Sequence, residues 1–125
     1  MDTFFIREKS GSFEIDAHIT IMGEDILVVI TGGKEHIGAI GIGQPRPSIQ
    51  NPDRISSTGS VYTFLGHKED MVAKGLSENL SRKLNRKTVV VAGIHWDNLK
   101  KEGIEEILGI CRKIEDRILE IMKGP

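Results

Sequence analysis

Phe13-Glu14-Ile15-Asp16-Ala17-His18-Ile19-Thr20-Ile21-Met22 decides how this chain folds. Phe13, Ile15, Ala17, Ile19 and Ile21 fall on one side of an extended backbone; Glu14, Asp16, His18 and Thr20 fall on the other. Strict alternation is the mark of a half-buried strand. Working outward, Gly23-Glu24-Asp25 reads as a turn. Ile26-Leu27-Val28-Val29-Ile30 is a continuous apolar run, as in a central strand covered on both faces. Gly32-Gly33, with Lys34 and Glu35, makes a second tight turn, since glycine reaches positive φ without steric cost. His36 to Gly43 then reads His-Ile-Gly-Ala-Ile-Gly-Ile-Gly, a third strand whose glycines imply a close approach to the backbone. These three strands are expected to form a meander.

Gln44 to Ser56 holds Pro45, Pro47 and Pro52 with Arg46 and Arg54, and reads as a long loop. Ser57 to Phe64 is a fourth strand. Leu65-Gly66-His67 leads into a helix ending near Asn85, with Met71, Val72, Leu76, Leu80 and Leu84 at helical spacing. Glu69 and Asp70 near its start, and Arg82, Lys83 and Arg86 at its end, suit the helix dipole. Thr88 to Ile94 is a fifth, buried strand. The last helix runs from about Glu102 to Lys123, with Ile104, Ile107, Leu108, Cys111, Ile114, Ile118 and Ile121 inward. The expectation is one α+β domain over residues 1–125, with a mostly antiparallel five-stranded sheet and two helices on one face. The order is β-β-β-β-α-β-α, and the stretch from the fourth strand through the helix to the fifth can form a crossover.

A chain of 125 residues with a net charge of −1 lacks the basic excess of a nucleic-acid binder. No apolar run approaches the roughly 20 residues that span a bilayer. Met1 to Arg7 lacks the features of a signal peptide, and the single Cys111 excludes an internal disulfide, so a cytoplasmic location is expected.

Three places can carry chemistry. His36 opens the glycine-rich strand, where an imidazole beside exposed backbone can face a ligand; the bland alternative is a solvated strand-edge histidine. Gly66-His67-Lys68 precedes a helix, whose free N–H groups bind anions, although the P-loop spacing is missing. Ser56, Ser57, Thr58 and Ser60 lie just upstream. His95, Asp97 and Asn98 follow a buried strand, where α/β sites gather; equally, Asp97 or Asn98 can cap a short turn before the last helix. Arg46 and Arg54 suit an anion, or a solvated loop. Trp96 either stacks on a flat ring or anchors the core edge, the second being favoured. His36, His67 and His95 with Asp97 admit a metal reading, yet their spacing matches no compact metal motif. His18 reads as a surface or interface residue, and Cys111 as a small hydrophobe.

His36-Ile37-Gly38-Ala39, Pro45-Arg46-Pro47-Ser48, Gly66-His67-Lys68-Glu69-Asp70 and Gly93-Ile94-His95-Trp96-Asp97 follow one another in this order. Together they resemble the LpdD-like prenylated-flavin chaperone family. The resemblance implies a small protein that accompanies prenylated-flavin-dependent decarboxylases, binds prenylated FMN and assists its maturation or delivery, a cofactor chaperone rather than a conventional enzyme. It implies His36, Gly38, Arg46, Gly66, His67, Lys68, His95 and Asp97 as cofactor-binding positions, with His36 and His95 as candidates for proton chemistry and no metal. Gly66 to Lys68 would cradle the phosphate, and the glycines of the third strand would admit the flat ring. Aromatic residues make up only 5% of the chain, so stacking partners are few; a subunit holding half a site, and hence a homodimer, is the expectation. Ser57 to Val91 also resembles proteasome-assembly chaperones in architecture. A metal-dependent enzyme on His36, His67, His95 and Asp97, and an interaction module without a small ligand, stand as the alternatives.

Overall fold

A computed structural model of the chain describes residues 1–64 and 69–124. The elements are β1 (Asp2–Ser10), β2 (Phe13–Met22), β3 (Asp25–Gly33), β4 (Ala39–Pro47), β5 (Ile55–Thr63), α1 (Asp70–Leu84), β6 (Thr88–His95) and α2 (Lys101–Lys123). The strands form one sheet in the order β1-β2-β3-β6-β4-β5. β3 and β6 run parallel; every other neighbouring pair is antiparallel. The α+β class is as expected. The five-stranded, mostly antiparallel sheet is not: the sheet has six strands and is mixed.

The extra strand is β1. Its inward face carries Phe4 and Ile6 and then gives way to Glu8, so its apolar alternation fades after two positions. Ion pairs of Arg7 and Lys9 with Glu14 and Asp16 fill its outer face, a charged finish that suits an exposed sheet edge. The three-stranded meander also differs. It is β1-β2-β3, and β4 is not the neighbour of β3. Lys34 to Gly38 is no hairpin turn; it crosses β6 and is tied to it by Lys34 N–H on the His95 carbonyl (3.0 Å) and Gly38 N–H on the Ala92 carbonyl (2.9 Å). His36 therefore lies in this connection, before the strand rather than on it.

The proline-rich loop is shorter than expected. β4 pairs with β6 only from Ala39 to Gly43, so beyond that point it is flanked by β5 alone. One side of the strand is then a free edge, where Pro45 and Pro47 cost no ladder bond. The loop proper, Ser48 to Arg54, is closed by Ser48 N–H on the Arg54 carbonyl at 2.8 Å.

Both helices cover one face of the sheet. α1 lies on β4, β5 and β6, and α2 lies on β1 and β2. Ile6, Ile15, Ile19, Val28, Ile30, Leu80, Val90, Ile110, Ile114 and Ile118 form one buried core between sheet and helices. Each such side chain contributes about 1.5–3 kcal/mol by leaving water. α1 turns Ala73, Ser77 and Ser81, at successive i, i+4 positions, onto β4. There the helix backbone comes so close that a Cβ on Gly41 would stand 2.2 Å from the Ala73 carbonyl oxygen, and one on Gly43 2.2 Å from that of Ser77. Two glycines expected to admit a flat ring are thus used by helix packing. Met71, which shares the helical spacing of the apolar positions, is 70% exposed.

Candidate functional site

β3, β6, β4 and the start of α1 converge on one cluster. The Lys34 to Gly38 crossing carries His36 over the end of β6, and the fit is tight. A Cβ on Gly93 would lie 1.7 Å from the His36 carbonyl oxygen, and one on Gly38 would lie 2.2 Å from a Glu69 carboxylate oxygen. Gly33 has φ +67°, and a Cβ there would press on the His95 carbonyl. Glycine at these positions lets three backbone segments and one carboxylate meet.

His36 Nε2 lies 2.7 Å from Glu69 Oε1, and His36 Nδ1 lies 2.9 Å from the Lys34 carbonyl oxygen. A carbonyl only accepts, so Nδ1 carries a hydrogen and donates it. The short Nε2–Oε1 contact then holds one further proton, giving either an imidazolium–carboxylate pair or a neutral imidazole with a protonated acid. Glu69 is 6% exposed. It stands at the N-cap position of α1, yet its side chain turns to His36 and makes no capping bond. Glu69 Oε2 is buried with no hydrogen-bond partner among the described residues. Burying a carboxylate is costly, and among the described residues the His36 imidazole is the hydrogen-bond partner that offsets the cost.

His95 adds a second imidazole, with ring centroids 6.1 Å apart and planes at 84° to His36. Its Nε2 lies 3.0 Å from Asp97 Oδ1, and this pair is solvent-exposed. Asp97 and Asn98 lie in a short turn ahead of α2, whose own N-cap is Lys100. Trp96 packs edge-on against Phe13 at 5.0 Å and belongs to the core margin. The Phe64 N–H donates to the Gly38 carbonyl (2.9 Å), which brings exposed Phe64 and Ile37 to the rim of the cluster.

Of the residues singled out in the sequence, His36, Gly38, His95 and Asp97 come together. Gly66, His67 and Lys68 lie outside the described residues, immediately before Glu69. Arg46 is elsewhere: it sits seven positions along β4 from Ala39, about 23 Å by the rise of a strand, and its Nε donates to Thr58 Oγ1 at 2.7 Å. Glu69 was missed as a partner of His36. Its place in an acidic pair at a helix start pointed to the dipole, and nothing local announces a contact across 33 residues. Among the described residues no three His, Cys, Asp or Glu side chains are grouped to hold a metal ion. Cys111 is buried, and burial pushes its thiol up to about 12.

The model of the prenylated flavin chaperone LpdD-like domain matches residues 9–123, nearly the whole chain. The chain belongs to the LpdD-like prenylated flavin chaperone family. Within that family, the protein LpdD of Lactiplantibacillus plantarum is 26% identical over 101 residues, 80% of this chain and 70% of that protein. The fold has a wider likeness. A chain from the crystal structure of a chaperone complex for yeast 20S proteasome assembly matches with a TM-score of 0.61 over 99% of this chain and 100% of that one, at 16% identity. At that identity the likeness is one of fold. No helix among the described residues of this LpdD-like chain is long and apolar enough to cross a membrane.

Proposed function

We propose that this protein binds prenylated FMN at the His36–Glu69–His95 cluster and assists its maturation or delivery to a prenylated-flavin-dependent decarboxylase. Membership of the LpdD-like family supports the role. The observation that carries the location is the buried Glu69 carboxylate, held by His36, with its other oxygen lacking a hydrogen-bond partner among the described residues. The residues present suit the ring end of a flavin. His95 holds Asp97 through Nε2 and can turn Nδ1 to a ring nitrogen or carbonyl, and Ile37 and Phe64 offer exposed apolar surface for a flat ring. Gly66, His67 and Lys68, in front of the helix start, take the phosphate in this reading; Gly38 leaves room for the Glu69 carboxylate, and Asp97 orients His95.

When bound, the cofactor supplies a redox-active ring. The chain supplies placement and a proton: His36 is oriented by the Lys34 carbonyl, and Glu69 holds or returns the proton at Nε2. This is the work of a cofactor chaperone in the cytoplasm rather than of a turnover enzyme.

Titration of purified protein with prenylated FMN, followed by calorimetry, tests the proposal. Binding is expected, with His36→Ala and Lys68→Ala each weakening it about tenfold or more, the loss of one charge-assisted contact. Absence of binding in the wild type would remove the ligand, and undiminished affinity in His36→Ala would move the site.

A further inference from the structure

Three stretches of sheet edge lie open among the described residues: β1, the end of β4 beyond β6, and β5. An open edge presents unpaired N–H and C=O groups, and proteins usually block it with charge or proline. β1 is blocked by the ion pairs of Arg7 and Lys9 with Glu14 and Asp16. The other two edges are told apart by the phase of the hydrogen bonds. Phe64 N–H donates to the Gly38 carbonyl at 2.9 Å, and Ser48 N–H to the Arg54 carbonyl at 2.8 Å. Bonded pairs alternate with unbonded ones along an antiparallel ladder. Between those two bonds, therefore, Tyr62, Ser60, Thr58 and Ser56 bond inward to Ile40, Ile42, Gln44 and Arg46.

The backbone nitrogens of Pro45 and Pro47 then point away from β5, to the open side of β4, and proline has no N–H to offer there. That edge is closed to a further strand. On β5 the same phase turns the N–H and C=O groups of Ile55, Ser57, Gly59, Val61 and Thr63 outward. β5 is the last strand of the sheet, and no described residue takes these groups. The nine residues Ile55-Ser56-Ser57-Thr58-Gly59-Ser60-Val61-Tyr62-Thr63 contain neither a charge nor a proline. Of the three edges, β5 alone keeps alternating donors and acceptors with nothing to repel a partner.

We infer that the β5 edge takes up an extended, uncharged segment of another protein as a further strand of the sheet; that this protein is the decarboxylase receiving the cofactor rests on the function proposed above. Three arguments choose the occupant. A row of outward backbone groups two residues apart is satisfied by an extended backbone, and the flanking Val61 and Tyr62, 38% and 65% exposed, favour apolar side chains on it. The edge also leads to the site. β5 runs on into Phe64, whose N–H holds Gly38, and Gly38 makes the space that the Glu69 carboxylate fills. A segment laid along β5 thus ends beside the His36–Glu69–His95 cluster, where a cofactor has to change hands. A second copy of the chain suits this edge less well. Antiparallel self-pairing through all five outward residues centres on Gly59. Glu78, ion-paired with Lys74 at 3.2 Å, stands over Gly59, so like charges would face each other across the join.

Amide hydrogen exchange of the full chain, alone and with an apo prenylated-flavin-dependent decarboxylase, tests the inference. In the chain alone the amides of Ser57, Gly59, Val61 and Thr63 are expected to exchange fast and those of Thr58, Ser60 and Tyr62 slowly. With the enzyme bound, the first set is expected to slow about tenfold or more, while the β1 edge stays unchanged. Val61→Pro removes one outward donor from a strand edge, where proline is tolerated, and is expected to weaken the complex about tenfold with its circular-dichroism melt intact. Val61→Lys, an edge charge, is expected to do the same, and Lys9→Ala on β1 to leave the complex unchanged. A complex in which the β5 amides stay unprotected would overturn the inference, and so would the absence of any complex. Protection that rises with the concentration of the chain alone would also overturn it, by giving the edge to a second copy. Calorimetric titration of the same protein with prenylated FMN keeps the two proposals apart. Cofactor binding without an enzyme complex sinks only the β5 edge, whereas β5 protection by the enzyme without cofactor binding upholds the edge and removes the ligand.

Discussion

Gly93→Ala tests the architecture of the site through one methyl group. The new Cβ would stand 1.7 Å from the His36 carbonyl oxygen. An ordinary carbon-to-oxygen contact is about 3.3 Å, so the Lys34 to Gly38 crossing must retreat by about 1.5 Å. That retreat stretches the bonds from Lys34 N–H to the His95 carbonyl, 3.0 Å, and from Gly38 N–H to the Ala92 carbonyl, 2.9 Å, past bonding range. Each bond contributes about 1 kcal/mol net, and forced packing at the crossing adds about 1–3 kcal/mol. A loss of about 3 kcal/mol lowers Tm by about 12 °C in a domain of this length. His36 moves with the crossing, so the His36–Glu69 bond and cofactor affinity fall together. Gly75→Ala is the control: its Cβ meets nothing within 4 Å in the interior of α1, and removing a helical glycine should raise stability by about 0.5–1 kcal/mol. Thermal melts of both variants, with nitrogen-15 spectra of the histidine rings, read the result. A Gly93→Ala protein that melts within about 3 °C of wild type and keeps its histidine signals would refute the reasoning.

Two further outcomes follow from groups away from the site. Burial holds the Cys111 thiol at about 12, so a thiol reagent at pH 8 should label it only after unfolding in guanidinium; prompt labelling of native protein would contradict its place in the core. The Arg7 guanidinium hydrogen-bonded to Asp16 holds that carboxyl below the ordinary carboxylate range. Its contribution to stability is therefore present above the unfolded-chain value and lost as pH falls through the lower folded one. Asp16→Asn should flatten the acid limb of a stability–pH curve below about pH 4, and parallel curves for the two proteins would disprove the link.

Most elements were legible because their periodicity is strong. β2 alternates over ten residues, and the last helix keeps its apolar stripe from Ile107 to Ile118. β1 was not legible, because an edge strand needs only one apolar row and here that row stops at Ile6. The position of β6 was not legible either. A double glycine followed by a β-branched run reads as a hairpin, and only the bonds from Lys34 and Gly38 to β6 show that the chain steps over a strand that has yet to appear in the sequence.

The glycines show why the site was harder to read than the fold. Sequence marks a glycine as a place of close approach but does not say what approaches. At Gly41 and Gly43 it is the backbone of α1, at Gly93 the His36 carbonyl, and at Gly38 the Glu69 carboxylate. Only the last two bear on chemistry, and they are told apart by partners more than 30 residues away. The same limit explains Glu69. A carboxylate at a helix start is ordinary until the crossing segment delivers an imidazole to it. Once there, it stops serving the helix, since it makes no capping bond, and serves His36 instead. A side chain that gives up its local role for a buried contact, with its second oxygen lacking a hydrogen-bond partner among the described residues, is the feature on which the proposed ligand site rests.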